Sequence, residues 1–329
     1  MANSPVMGWQ HLALWHGLDQ GRIEEVQRSL NAGANPNATR RMGVAFEHPH
    51  FRPTDTPLHA VLRRAWTAWH GGAGDVDRAV SALLVAGADP CVLSEGATPL
   101  WLLCAQDLPL VSEYTFRQLA QGTLREIDGA GSAGRTALMN TARQGRTGWA
   151  NILLSLGAQP RLRDEGGWNA LWHAAMLEEN NYRNKTPLLS EPVEWALLEG
   201  QCPAGQTDQT GRTVLMVMPH LPVAPWIARG VNPNHRTPSG ESLLWGTLLG
   251  LRWVGWCALQ QRLQQLFDIN EINWAMPGPG QQTLQQWLEA LAYPAHAQVL
   301  LDEVASLHER AVLAGAAVSE RGKAGARRL

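Results

Sequence analysis

Apolar residues return along this chain at helical spacing, in short paired stretches separated by recurring punctuation. The clearest copy runs from Gly134 to Pro160. Thr136 stands just before an apolar run, where an N-cap belongs, because its hydroxyl can accept a hydrogen bond from a free amide of the first turn. Leu138 and Ala142 share one face of a first short helix, which Gly145 ends. Trp149, Ile152, Leu153 and Leu156 recur at the spacing of a second helix. Gly157 suits a left-handed C-terminal cap, and Pro160 keeps the helix from resuming. Two helices this short cannot bury their apolar faces alone and need neighbours of the same kind.

The chain supplies them. A cap residue followed two positions later by an apolar one occurs at Thr56, Thr98, Thr136, Asn169, Thr213 and Ser242, with Thr283 as a shifted seventh. Pro57 and Pro99 take the first helical position, where a missing amide costs nothing. Each unit closes on G-A-x-P or a variant, at Gly33, Gly87, Gly157 and Gly230, with weaker versions at Gly122 and Gly200. Gly87, Gly122 and Gly157 follow one another at intervals of 35 residues.

That period, the TPLHAV at Thr56, the TPLWLL at Thr98 and the GADP at Gly87 resemble the ankyrin repeat, with its T-P-L-H-x-A signature and terminal glycine turn. The resemblance covers roughly residues 9 to 304 and repeats in register. It implies an all-α ankyrin-repeat solenoid of about seven to eight helix-turn-helix repeats with short finger turns. In one respect the chain departs from the family. The signature histidine stands only at His59, and the equivalent positions carry Trp101, Met139, Trp172, Met216 and Trp245. Tryptophan or methionine there is expected to replace polar contacts by packing.

Taken in order, residues 1–37 form an N-terminal capping repeat and 38–55 a long loop. Residues 56–275 hold the central repeats, with inserts near 66–75 and 178–191. Pro219, Pro222 and Pro225 are expected to break the first helix of the sixth repeat. In the seventh, the second helix is expected over Trp253 to Phe267. Residues 276–314 form C-terminal capping helices, and the basic, aperiodic 315–329 is a mobile tail. Segments such as Asp164–Asn169 and Asp208–Thr213 read as tight turns, the finger tips of the array.

Composition narrows the function. Hydrophobic residues make up 45% of the 329, enough for an extended core, yet no run approaches a membrane span. The net charge of −2 sets up no global field for nucleic acid or anionic lipid. The N-terminus lacks early basic residues and does not read as a signal peptide. Lys185 and Lys323 are the only lysines among many arginines, a bias of GC-rich bacterial genomes. Cys91, Cys104, Cys202 and Cys257 form no C-x-x-C pair and read as free thiols in a reducing cytoplasm.

Candidate chemistry is sparse. Gly129–Gly134 matches G-x-G-x-x-G, but the preceding TLREID is too polar for a buried strand, and the repeat register makes it a finger turn. His48 and His50 beside Glu47 lack a third metal ligand. No catalytic constellation stands out, so the reading is a non-enzymatic protein without cofactor or metal.

What remains is the surface that the family resemblance makes concave, lined by fingers and first helices. Partner contacts carried over position by position are Arg63 and Arg64 in the second repeat, and Glu95, Ala97 and Gln106 in the third. The fourth gives Arg135, Arg143 and Gln144, and the fifth Glu165, Trp168 and Met176. Gln209 and Arg212 follow from the sixth, and Glu241 from the seventh. Trp168 is expected to be exposed, flanked by arginine, as binding hot spots are. The implied function is binding of a protein partner by a cytoplasmic, bacterial chain that is monomeric before the partner arrives. Toxin-neutralising immunity proteins and secretion-system partners are the roles the resemblance suggests. A nucleic-acid-binding adaptor or a host-targeted effector is the alternative.

Overall fold

The structure is a computed structural model. It describes residues 8–39, 52–64, 73–106, 111–184, 202–218 and 221–250, and beyond these 263–266, 269, 272–274, 276–283, 286 and 302. The chain divides into two compact units, Met1–Glu178 with Pro187–Cys202, and Glu179–Thr186 with Pro203–Leu329.

In the first unit, helices come in pairs: α1 (Trp9–Gln20) with α2 (Ile23–Asn31), α3 (Pro57–Arg64) with α4 (Ala73–Val85), α5 (Pro99–Ala105) with α6 (Glu113–Gly122), and α7 (Ala137–Arg143) with α8 (Thr147–Ser155); α9 (Ala170–Asn184) belongs to this unit as far as Glu178. First helices α1, α3, α5 and α7 pack successively on one another, and second helices α2, α4, α6 and α8 do the same. The core between the two rows is aliphatic, with Leu14, Leu58, Leu83, Leu100, Leu103, Leu119, Leu138 and Leu153 fully buried. Phe116 and Trp149 stack at 4.2 Å between second helices, and the Arg146 guanidinium lies 4.5 Å over the Trp149 ring. The same guanidinium donates to the carbonyls of Leu103 and Gln106, which end α5. It thereby satisfies helix-end acceptors that have no intrahelical partner.

Most of the predicted caps form. Side chains of Thr98, Thr136 and Asn169 accept from the amides of Trp101, Met139 and Trp172 at 3.1, 3.3 and 3.0 Å. Thr56 hydrogen-bonds instead to His59 Nδ1, at 2.8 Å. Gly33, Gly87, Gly157 and Gly230 all take left-handed φ, between 87° and 95°, as the terminal turns require. Gly122 does not. It remains helical, and its lack of a Cβ serves close packing, since a Cβ there would lie 2.7 Å from Pro90 Cγ. The turns are tied from repeat to repeat by side-chain amides and carboxylates. Asn37 donates to Gly87 O and accepts from Asp89 N, and Asp128 accepts from Gln159 N.

In the second unit, α10 is Val214–Val217, α11 Val223–Ala228 and α12 Leu243–Gly250. The Ser242 hydroxyl caps α12 through Trp245 N at 3.3 Å, and Thr283 and Gln286 cap each other reciprocally. Two expectations are corrected here. The Thr213 hydroxyl is buried without a partner among the described residues; its backbone amide meets Met216 Sδ at 3.4 Å. Pro222 and Pro225 do not break the first helix of the sixth repeat. They stand at the N-cap and in the first turn of α11, where no intrahelical amide is required.

The predicted inserts are partly helical. Ala73 to Asp75 form the first turn of α4, and α9 continues through 178–184. The predicted tail at 315–329, the loop with His48 and His50, Cys257, Gly200 and Pro219 lie outside the described residues, as does most of the C-terminal cap and of the helix expected over 253–267. No helix among the described residues is long and apolar enough to cross a membrane.

Candidate partner-binding face

Two fingers are built by aspartate, and a third by the Thr237 hydroxyl. In Asp164–Asn169, Asp164 Oδ1 accepts from the amides of Gly166 and Trp168 at 2.9 and 2.8 Å, and the Asp164 amide donates to Trp168 O. Gly167 takes φ 81° to close the turn. Asp208 does the same for its finger, accepting from the amides of Thr210 and Arg212, with Gly211 at φ 80°. The G-x-G-x-x-G stretch is likewise a finger turn, since Ser132–Gly134 is a single 3-10 turn. A Cβ on Gly131 would lie 2.4 Å from the Trp101 indole, so this glycine is required by the ring packed on it.

That ring corrects a sequence expectation. His59 Nε2 bonds to the carbonyl of Ala97 in the next finger at 3.1 Å. Trp101 Nε1 donates to Arg135 O at 2.6 Å, and Trp245 Nε1 donates to Met276 O at 2.9 Å. Trp101 and Trp245 therefore retain the polar clasp along with their packing, whereas Trp172 packs as expected, its Nε1 buried with no hydrogen-bond partner among the described residues. Met139 Sδ accepts instead from the cap amide of Thr136. Trp172 and Trp245 are fully buried and Trp101 half-buried.

The predicted contact residues fall into three groups. The first is committed to the fold. Arg63 Nε lies 3.1 Å from Asp55 Oδ1, a fully buried carboxylate that also accepts from Arg52 N and the Ser94 hydroxyl. Arg212 closes on Asp208 at 3.1 Å. The Ala97 carbonyl holds His59, Gln106 Nε2 donates back to Leu102 O, and the Glu241 amide donates to Thr237 Oγ1. The second group is half-buried or exposed: Glu95, Gln144, Glu165, Met176 and Gln209. Glu95, at φ 51°, faces Arg52 at 3.3 Å, and the Glu165 amide joins its finger to Ala133 O in the preceding one. Arg64 closes α3, and its side chain lies outside the described residues.

The third group converges. Trp168 is half-buried rather than exposed, because its ring tilts onto Trp172 (5.5 Å) and His173 (5.7 Å) of its own repeat. His173 is 2% exposed, and its Nε2 bonds to Asp164 Oδ2 at 2.9 Å. Burial pushes the imidazole below its ordinary pKa, against the pull of Asp164, and the nearby charges of Arg143 and Arg135 push the same way. Arg143 is exposed and Arg135 half-buried, and neither guanidinium has an ion pair or hydrogen bond among the described residues. His173 was not anticipated. Its sequence context, ALWHAA, is that of a core position, and its partner lies nine residues upstream with no periodic signal between them.

With this geometry in place, comparison with known proteins identifies the fold. The ankyrin repeat domain of Bcl-3, described as a unique member of the IkappaB protein family, resembles the chain with a TM-score of 0.50 over 77% of this chain and 97% of that one, at 19% identity. No protein-family model and no curated protein matches the sequence. The fold is that of an all-α ankyrin-repeat solenoid, with helix pairs, left-handed glycine turns and short hydrogen-bonded fingers.

Proposed function

We propose that the protein binds a partner protein through its finger face, centred in the first unit on Trp168, Arg143 and Arg135. The further contact residues of this reading are the half-buried or exposed Glu95, Gln144, Glu165 and Met176 in the first unit and Gln209 in the second. The observation that carries this reading is a half-buried indole on a hydrogen-bonded, preformed turn, next to a repeat whose Arg135 and Arg143 have no ion pair among the described residues. Arginine and tryptophan in such settings dominate binding energetics, and a turn already ordered loses little entropy on binding. The partner is held and thereby blocked or positioned, and no step of chemistry is performed on it. In a bacterial cytoplasm this is the action of an immunity protein on its toxin, or of a secretion-system partner on its cargo; the chain is monomeric until then.

The test is an affinity pull-down of tagged full-length protein from its own cells, beside a Trp168→Ala/Arg143→Ala variant, with mass spectrometry of what is held. A partner present with the wild type and lost from the folded variant supports the finger face, and its identity distinguishes a toxin from a secretion component or a host protein. A partner held equally by both moves the site elsewhere. A nucleic-acid complex that persists above about 0.2 M salt would replace the proposal by the adaptor reading.

A further inference from the structure

Among the described residues, His59 and His173 are buried and differ at one nitrogen. His59 has an oxygen at each, the Thr56 hydroxyl 2.8 Å from Nδ1 and the Ala97 carbonyl 3.1 Å from Nε2. His173 has Asp164 Oδ2 at 2.9 Å on Nε2, while its Nδ1 is buried without a partner among the described residues. A carboxylate only accepts, so the proton of the neutral ring stands on Nε2 and leaves Nδ1 a lone pair. A second proton on His59 finds the hydroxyl oxygen. On His173 it creates a buried N–H that no described group accepts, an arrangement folded proteins avoid. The finger tied to this ring is the one that carries Trp168. The two preceding fingers are clasped by His59 and Trp101 through the carbonyls of Ala97 and Arg135. Before the Trp168 finger the equivalent side chain is Met139, whose sulfur accepts from Thr136 N instead. Asp164 ties this finger to α9 through His173, and the Trp168 ring lies 5.7 Å from the imidazole.

We infer that His173 is a pH-operated latch on the Trp168 finger: the neutral ring seats the indole, and the protonated ring unseats it. Its role in holding and releasing the partner rests on the partner-binding reading of this face. Once Nδ1 carries a proton, water is the acceptor that remains, and a neighbouring ring must give way for water to arrive. Trp172 is fully buried in the stack. Trp168 is half-buried on a turn, so it moves at the smaller cost. The Asp164 bond holds in both states, since Nε2 donates in both. Burial opposes the second proton most, so the latch opens below the ordinary histidine value of 6.5. Of the charged groups acting on the imidazole, Asp164 of its own finger favours that proton, and Arg143 and Arg135 of the preceding repeat oppose it. The finger at Ala97 keeps its clasp throughout, because His59 Nε2 also donates in both states.

The test uses the full chain labelled with fluorotryptophan and isotope-labelled histidine. Trp168→Phe assigns the Trp168 fluorine resonance, and His173→Gln assigns the His173 nitrogens. Fluorine and nitrogen spectra are recorded from about pH 7.5 down to about pH 5, with circular dichroism at each step. The fluorine shift between light and heavy water reads the exposure of the ring. At the upper end the nitrogens should report the Nε2–H tautomer. As they titrate, the exposure of Trp168 should rise with the same midpoint while the ellipticity holds. One pH unit below that midpoint, about nine-tenths of the chains should show the unseated signal. His173→Gln keeps an N–H for Asp164 and does not titrate, so its Trp168 resonance should keep its exposure over the same range.

A Trp168 resonance that keeps its exposure while His173 titrates overturns the inference. So does one that moves equally in His173→Gln, or a loss of ellipticity that accompanies the change, since the chain then unfolds as a whole. An Nδ1–H tautomer at the upper pH overturns it as well. The two readings fail separately. A partner lost from Trp168→Ala/Arg143→Ala in the pull-down, with an unmoved Trp168 resonance, removes the latch and leaves the partner face. A Trp168 resonance that titrates with His173, with the partner retained by that variant, does the reverse.

Discussion

The fingers at Asp164–Asn169 and Asp208–Thr213 have the same backbone and different anchors. In both, one aspartate oxygen gathers the turn amides and a glycine in left-handed conformation closes it. The second oxygen of Asp164 goes to His173, a buried side chain of α9. The second oxygen of Asp208 goes to Arg212 of its own turn, whose side chain is 40% exposed. The first finger is thus fastened by its aspartate to a helix, and with it Trp168; in the second the aspartate stays within its own turn, and the tie outward is His235 Nε2 on Gly211 O at 2.7 Å. A turn motif specifies shape, while its spare acceptor decides whether that shape is coupled to the core.

Replacing the two anchors should separate the fingers most strongly. His173→Ala removes a buried ring and strands a carboxylate oxygen, and should destabilise the first unit by about 2–4 kcal/mol. Arg212→Ala removes a half-exposed side chain from a carboxylate that keeps the Thr210 hydroxyl and two turn amides, and should cost no more than about 1 kcal/mol. Urea unfolding of both variants checks this, and equal losses would end the distinction between an aspartate anchored on a helix and one that closes on its own turn.

The clasp between first helices and fingers is a device both units share, so it should behave alike in both. Trp101→Phe and Trp245→Phe each remove one indole donor and should cost about 1 kcal/mol. Gly131→Ala forces a methyl into the Trp101 ring and should cost about 1–3 kcal/mol. Shifts in the urea midpoint report all three.

A pH titration of stability distinguishes the anchors a second way. His173 and His59 are held below the ordinary histidine value of 6.5, first by burial. The unfolded chain therefore takes up protons before the folded one as pH falls. Stability should be complete above about pH 6.5 and decline below it, and His173→Gln should make that decline shallower. For Asp208, burial pushes the carboxyl up, but the Thr210 hydroxyl, the backbone amides and Arg212 outweigh it and leave the group below 3.8. Its contribution is present above that pH and lost only in stronger acid. Chemical denaturation at pH 7, 6 and 5 (a range chosen around the histidine value) reads the difference.

The smallest effect concerns the thiols. Burial pushes Cys104 up to about 12 and Cys202 to about 11. Cys91 is half-buried and shifted less by the same cause. Alkylation of the native protein at mildly alkaline pH should mark Cys91 well before either of the others, with peptide mapping as the readout. Early labelling of Cys104 would mean that α5 opens on its own.

Much of this organisation was legible in the chain because it is local. A cap oxygen acts three residues ahead, a terminal glycine acts at its own φ, and an aspartate gathers amides two and four residues on, so Thr98, Gly157 and Asp164 declare themselves by spacing. What was not legible depends on contacts between repeats. The indole bonds from Trp101 and Trp245 span more than thirty residues, so the substitutions for histidine read as packing alone. The half-burial of Trp168 and the commitment of Arg63 to Asp55 arise within single repeats instead: each position is a surface position of the motif, and each side chain folds back, Trp168 onto Trp172 and His173 and Arg63 onto Asp55. Gly122 was aligned as a turn glycine by the 35-residue interval, whereas Pro90 of the neighbouring repeat is what requires it.

The central claim is that Trp168 and Arg143 hold a partner protein. Isothermal titration of the purified partner into wild type and into Trp168→Ala/Arg143→Ala tests it most directly. The account predicts an affinity loss of at least ~30-fold, about 2 kcal/mol, with the circular dichroism of the variant unchanged. An affinity within about twofold of wild type for a folded variant, roughly 0.4 kcal/mol, would contradict it.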